Sequence, residues 1–365
     1  LNGYPVVNYS IKDTRKIVES CDAAFSLRAG PVEFGIASGM TSCGAGGVAF
    51  RGMGTGRGRS VTPEESILNS QYSMRISGWY ADRGVTLTSD PHGWQPNGPI
   101  PLSVCIASMI ISILGSAEQG HRSATPLVFC LGNMVQDLAW IRLEPKLIRE
   151  YLDKFGYKDF IISGVIPTQI PLFPVPSDWG GAFAYLCYTA MVGSLSKSPA
   201  VDLRSADEGA GIPTEEVHKM SWRAAKWIFD VVREQKIEID VKGIEEEEKV
   251  TEIEVRAMID KVLELGDGDI LIGAAKAVEA GVLDSPWGPS LAVKDQVLAV
   301  RDARGAWRYL EFGNLPIPNE IKEFHREKIA ERERLEGKKV DYYTAVRDFL
   351  AFSKGKIVGL PPYDK

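Results

Sequence analysis

P-L-V-F-C-L-G-N-M-V-Q-D-L-A-W-I-R, residues 126–142, decides how the rest of the chain is read. A short apolar run, 126–130, reads as a strand and breaks at Gly132. Asn133 then opens a helical pattern, because its side chain suits the cap position of a helix. The same order recurs on both sides of this unit. Strand candidates fall at 4–7, 24–27, 47–50, 85–88, 126–130, 160–165 and 200–203, with helical patterns between the later ones. T-P-E-E at 62–65 gives one helix its cap, a proline and early acids, and P-T-E-E at 213–216 opens another. Strands alternating with helices predict βα units on a parallel sheet, an α/β fold. The architecture expected is an eight-stranded β/α barrel over 1–235, lacking its first strand or strands. An open doubly wound sheet is the alternative topology. Past 236 the texture changes to an α+β extension, 236–365, packing on the barrel. Its acidic run at 245–248 is expected to be a solvated surface. A helix is expected over 250–265, and a hairpin over 298–311 turning near 303–305.

The 365 residues are 25% charged and carry a net charge of −6, so no global basic field invites nucleic acid or an anionic membrane. Five widely spaced cysteines with no C-x-x-C read as free thiols of a reducing cytosol. Four dispersed histidines make no zinc site. The uncharged run 99–117 carries four serines, which suits a buried helix of a soluble protein better than a membrane span. The chain starts at Leu1, followed at once by N-G-Y-P, which has the look of a cut edge.

In a β/α barrel the chemistry sits where strands end. Arg28, after A-F-S-L, is a candidate grip for a substrate carboxylate. R-G-M-G-T-G-R-G-R at 51–59 matches neither G-x-G-x-x-G nor the P-loop. It reads as a flexible loop or as an anion-binding loop through Arg51, Arg57 and Arg59. His92, in S-D-P-H-G-W-Q, is placed to face the cavity. Asp90, Asp137, Asp207 and Glu208 fall near strand ends, without a sequence rule that pairs them. No G-x-S-x-G elbow is present.

L-N-G-Y-P-V-V-N at Leu1, A-E-Q-G at Ala117, G-N-M-V-Q-D at Gly132 and G-I-P-T at Gly211 form an ordered string. A-K-A-V-E-A-G-V-L-D-S-P-W-G-P-S from Ala275, V-R-D-A-R-G-A-W-R-Y-L-E-F-G-N-L-P from Val300 and a final G-K-I-V-G-L-P complete it. Taken together they resemble, over nearly the whole chain, the large catalytic subunit of adenosylcobalamin-dependent glutamate mutase (methylaspartate mutase). The resemblance implies a β/α barrel, a radical carbon-skeleton isomerisation, and a separate small subunit that ligates the cobalt through D-x-H-x-x-G. Asp90 and His92 approach that signature here, but Gln95 stands where its glycine belongs. It further implies that the first barrel strands come from a separate chain or a missing segment, that Arg28 holds a substrate carboxylate, and that Lys276 and Glu279 hold the adenosine ribose. Asn133 is assigned to the same cofactor.

The substrate positions depart from the family. The glutamate that receives the substrate ammonium corresponds to Gly44, and two tyrosines correspond to Phe50 and Gly54. An ammonium left unpaired in a buried site would cost several kcal/mol. The expectation is therefore a mutase subunit acting on a small carboxylic acid other than glutamate, with substrate contacts at Arg28, Gly44, Phe50, Arg51 and His92. Glutamate mutase proper is one alternative. A non-catalytic barrel scaffold is the other.

Overall fold

The computed structural model describes residues 9–20, 26–27, 44–45, 62–91, 98–169, 174, 176, 178–239, 242–288 and 290–356. The elements begin with α1 (Ile11–Glu19), β1 (Ser26–Leu27), β2 (Gly44–Ala45), α2 (Pro63–Ala81) and α3 (Ser103–Glu118). They continue with β3 (Ser123–Ala124), β4 (Leu127–Phe129), α4 (Met134–Lys154), β5 (Ile161–Ile162), β6 (Ile166–Thr168), α5 (Trp179–Leu195) and α6 (Glu215–Glu234). The last third holds α7 (Ile244–Leu265), α8 (Ile270–Glu279), the hairpin strands β7 (Val297–Arg301) and β8 (Trp307–Phe312), α9 (Asn319–Glu336) and α10 (Tyr342–Phe352).

Four segments lie side by side, parallel, in the order in which they occur. Ser89 bridges to Ala124, β3 pairs with β5, β4 with β6, and Thr168 bridges to Asp202. Helices α3, α4 and α5 connect them and α6 follows the last, so each strand returns to its neighbour through a helix. The fold is mixed α/β, as the alternation predicts. Sequential parallel order over four segments is common to a β/α barrel and to one half of a doubly wound sheet. The strand candidates at 4–7 and 47–50 lie outside the described residues. Nearby, β1 and β2 form a further parallel pair, Ser26 opposite Gly44.

The caps follow the sequence closely. Thr62 accepts from the Glu65 amide, Asn133 from Gln136 and Thr214 from Val217. Pro213 precedes that last cap rather than opening the helical turn. In α3 every residue but Glu118 is buried. Its serines tolerate burial by donating to the helix's own carbonyls: Ser108 to Cys105, Ser112 to Ser108 and Ser116 to Ser112. Among the described residues no helix is long and apolar enough to cross a membrane.

The C-terminal third is joined to the parallel layer by a shared core. Helix α7 packs on α3 and α4, and one apolar cluster runs from Ile106 and Trp140 through Met258 and Ile259 to Trp307 and Leu315. Helix α7 begins at Ile244, six residues earlier than expected, and takes in the acidic run. That run is not wholly a solvated surface. Glu247 is 5% exposed, because it turns inward to pair with Arg308. The hairpin forms as predicted, antiparallel, with a bulge between Leu298 and Ala299.

Candidate functional site

One edge of the parallel layer gathers the C-terminal ends of its four segments: Asp90, the turn 130–133, Gln169 and Arg204. The last two are linked, since the Arg204 amide donates to Gln169 Oε1 at 3.2 Å. Thr168 Oγ1 donates to Asp202 at 2.9 Å across the neighbouring bridge. Asp207, one turn further, accepts from Ser205 and from the Thr214 amide and hydroxyl, so its carboxylate holds the entrance of α6. Arg204 Nε is buried without a hydrogen-bond partner among the described residues.

The turn after β4 is held from both sides. Asp137, fully buried one turn into α4, accepts from the amides of Leu131 (2.8 Å) and Gly132 (3.1 Å) and from the Tyr188 hydroxyl (2.6 Å). Burial pushes its carboxyl up to about 7, against those three donors and the more distant Arg301. Gly132 adopts φ +82°, and a Cβ there would run into the Phe352 ring, so only glycine fits. From the other side, Arg301 Nη2 and Trp307 Nε1 both donate to Leu131 O, at 2.9 and 3.3 Å. Asn133 Nδ2 donates to Arg304 O at 3.2 Å. Gln136 reaches Trp307 and Glu247, and Arg308 lies between Glu247 and Asp302.

The expected site residues are scattered relative to this edge. Arg28, Phe50, Arg51 and His92 lie outside the described residues, as do Gly54, Arg57 and Arg59. Gly44 opens β2, in register with Ser26 two residues before Arg28. Asn133 is at the strand-end edge, but its amide is engaged by the α4 cap and by Arg304 O. Lys276 and Glu279 are exposed on α8, and Lys276 Nζ donates to Leu265 O at 2.9 Å. Leu265 closes α7, whose first turn carries Glu247 beside Gln136. That separates Leu265 from the strand-end edge by roughly 27 Å of helix. The structure does not bring Lys276 and Glu279 to the edge that holds Asn133. The residues carried over for the ribose therefore do not assemble a nucleoside site among the described residues.

Reading single segments missed the buried polar network that joins Gln136, Glu247, Arg301 and Arg308. A signal for it existed in R-D-A-R-G-A-W-R at 301–308: an arginine stands on each side of the hairpin turn, at 301 and 308, in strands that must bury a face.

Comparison with known proteins agrees with the resemblance read from the motifs. A family model described as methylaspartate mutase E chain (MutE) matches residues 1–361. The glutamate mutase epsilon subunit of Desulfitobacterium hafniense is 36% identical over 367 residues, covering 99% of this chain and 75% of that protein. The protein of the same name in Escherichia coli O157:H7 is 35% identical, with the same coverage. That of Haloarcula marismortui is 33% identical over 370 residues, covering 100% of this chain and 74% of its own length. With similarity of this extent on every part of the chain, the protein belongs to the methylaspartate mutase E chain family, a family of cobalamin-dependent isomerase subunits.

Proposed function

We propose that this chain is the large subunit of a glutamate mutase, interconverting L-glutamate and 3-methylaspartate on a β/α barrel. It would act with a small subunit that carries adenosylcobalamin and ligates its cobalt. The observation that carries this reading is the extent of the likeness: 36% identity over 99% of the chain to a protein named for that reaction. A substrate other than glutamate, expected from Gly44, Phe50 and Gly54, has less support, since the relatives reported above all carry the glutamate mutase name.

On this reading the chain's own share is binding, orientation and exclusion of water at the strand ends. Arg28, the residue that follows β1 in sequence, remains the proposed grip for a substrate carboxylate, and Gly44, Phe50, Arg51 and His92 remain proposed substrate contacts. At the strand-end edge described above, Arg204 offers a guanidinium whose Nε has no hydrogen-bond partner among the described residues. That is a donor suited to an acid or a hydroxyl. Because Lys276 and Glu279 lie elsewhere and Asn133 is engaged, no step is assigned through the nucleoside cofactor.

Reconstitution tests the proposal. The chain, a small subunit bearing D-x-H-x-x-G and adenosylcobalamin are mixed with L-glutamate. The expected result is a cob(II)alamin–radical EPR signal together with 3-methylaspartate. A signal only with a different carboxylic acid would move the substrate away from glutamate. No signal with any acid would favour the scaffold.

A further inference from the structure

Arg301 is an unusual use of a charge. Its side chain is fully buried, and burial pulls its pKa down to about 10. Among the described residues its guanidinium forms no ion pair. Nη1 donates to Gly305 O at 2.5 Å, Nη2 to Leu131 O at 2.9 Å, and Nε has no partner. The plane lies over the Trp307 ring at 4.3 Å. Asp348, the nearest candidate for an ion pair, accepts from the Arg301 backbone amide and gives its carboxylate to Arg332. A buried guanidinium satisfied by backbone carbonyls is costly to keep, and an apolar side chain of similar volume would serve packing better. What an apolar side chain could not do is reach 170 residues back in sequence and hold Leu131 O.

We propose that Arg301 is a positioning residue: it fixes the 131–133 turn at the end of β4, and through it the geometry of the reacting site. This rests on the function proposed above. The turn's two amides are held by Asp137 from α4, and its carbonyl is held by Arg301 from the C-terminal hairpin. The strand end is thus set by two elements, α4 and the hairpin, and Arg301 is the side chain of the hairpin that reaches the turn's carbonyl at 2.9 Å. Removing Arg301 takes away the shorter of the two donors on Leu131 O and leaves that carbonyl to Trp307 Nε1 at 3.3 Å.

Three variants test this in the full chain reconstituted with its small subunit. Arg301→Met removes the contact and Arg301→Lys keeps one donor. Met258→Ala opens a cavity in α7, remote from the turn, as a control for general destabilisation. Amide exchange over 130–136 is read first, without cofactor. It is expected to quicken clearly in R301M, partly in R301K, and not in M258A. With adenosylcobalamin and L-glutamate, R301M is expected to lower kcat by roughly 10- to 100-fold. The line shape of its residual radical pair is also expected to change, while M258A retains the wild-type line shape. R301M matching M258A in exchange and in line shape would overturn the inference. If the wild type gives no radical pair with L-glutamate, the proposed function fails, and the exchange data alone decide whether Arg301 holds the turn.

Discussion

Gln136 pairs with the backbone of Trp307 as a strand residue would. Its Oε1 accepts the Trp307 amide at 2.7 Å and its Nε2 donates to Trp307 O at 3.2 Å. A helix side chain thus completes the hydrogen bonding of a hairpin 171 residues away, with both residues almost wholly buried. The second hydrogen of the same amide goes to Glu247, which also pairs with Arg308. One primary amide therefore ties α4, α7 and β8 together, and only an amide has both a donor end and an acceptor end for it.

Replacing that amide gives ordered outcomes. Gln136→Glu would set a carboxylate against Glu247 and Trp307 O, and should cost about 3–5 kcal/mol. Gln136→Met keeps the volume but leaves the Trp307 amide without its partner, for about 1–3 kcal/mol. Urea midpoints should rank wild type above Q136M and Q136E lowest. A Q136E protein as stable as Q136M would refute the pairing.

Asp137 gives a pH dependence with a definite sign. Burial raises its carboxyl from the ordinary 3.8 to about 7. A raised folded-state value means the folded chain binds the extra proton more readily, so this contribution is present below the unfolded value and is lost as pH rises towards 7. The stability advantage of wild type over Asp137→Asn should shrink from pH 4 to pH 7.5 in urea titrations. An advantage that grows with pH would show the carboxylate to be stabilised rather than strained by its burial.

His121 runs the other way. Ser77 Oγ and Ser89 Oγ flank its two ring nitrogens at 2.7 and 2.9 Å, and burial lowers its pKa to about 4. A lowered value means the unfolded chain takes up the proton first, so this contribution is whole above 6.5 and is lost as pH falls towards 4. His121→Asn should flatten the acid limb of the stability profile. An acid limb of unchanged slope would remove His121 as its source.

Local rules carried the sequence reading where they apply and failed where the structure is held by distant pairs. The caps at Thr62, Asn133 and Thr214, the buried α3 and the hairpin turn each follow from a few neighbouring residues. Glu247 did not, because a charge run is solvated by default, and nothing within 245–248 signals the arginine that draws one member inward. Nor did the strand-end network. G-N-M-V-Q-D and R-D-A-R-G-A-W-R are each distinctive, but only the fold brings Gln136 to Trp307 and Arg301 to Leu131. The placement of α8 was equally invisible, since it depends on α7 running away from the strand ends before the chain turns back.

Gly78 marks a close crossing. A Cβ on it would lie 2.5 Å from Gln119 O and 2.9 Å from Gly120, both backbone, so α2 could not keep its distance from the end of α3. Gly78→Ala gains helix propensity but must part the two elements, and should destabilise by about 1–3 kcal/mol. Gly84→Ala, with open space but φ +83°, isolates backbone strain from crowding. Equal midpoints for G78A and wild type would show the crossing to be loose.

Helix α8 decides a question about the cofactor. If the ribose is held at the strand ends, Lys276 and Glu279 should be dispensable for it. Lys276 Nζ already serves Leu265 O, which closes the far end of α7, so Lys276→Met should loosen that helix terminus and lower the thermal midpoint slightly. It should leave the affinity for the cobalamin-loaded small subunit and the yield of cob(II)alamin unchanged. Arg204→Met, at the strand-end edge, should lower that yield or raise the KM for L-glutamate. It removes a guanidinium whose Nε has no hydrogen-bond partner among the described residues. The reverse pattern, with K276M inactive and R204M normal, would place the ribose on α8. It would require the strand-end edge to serve the substrate alone.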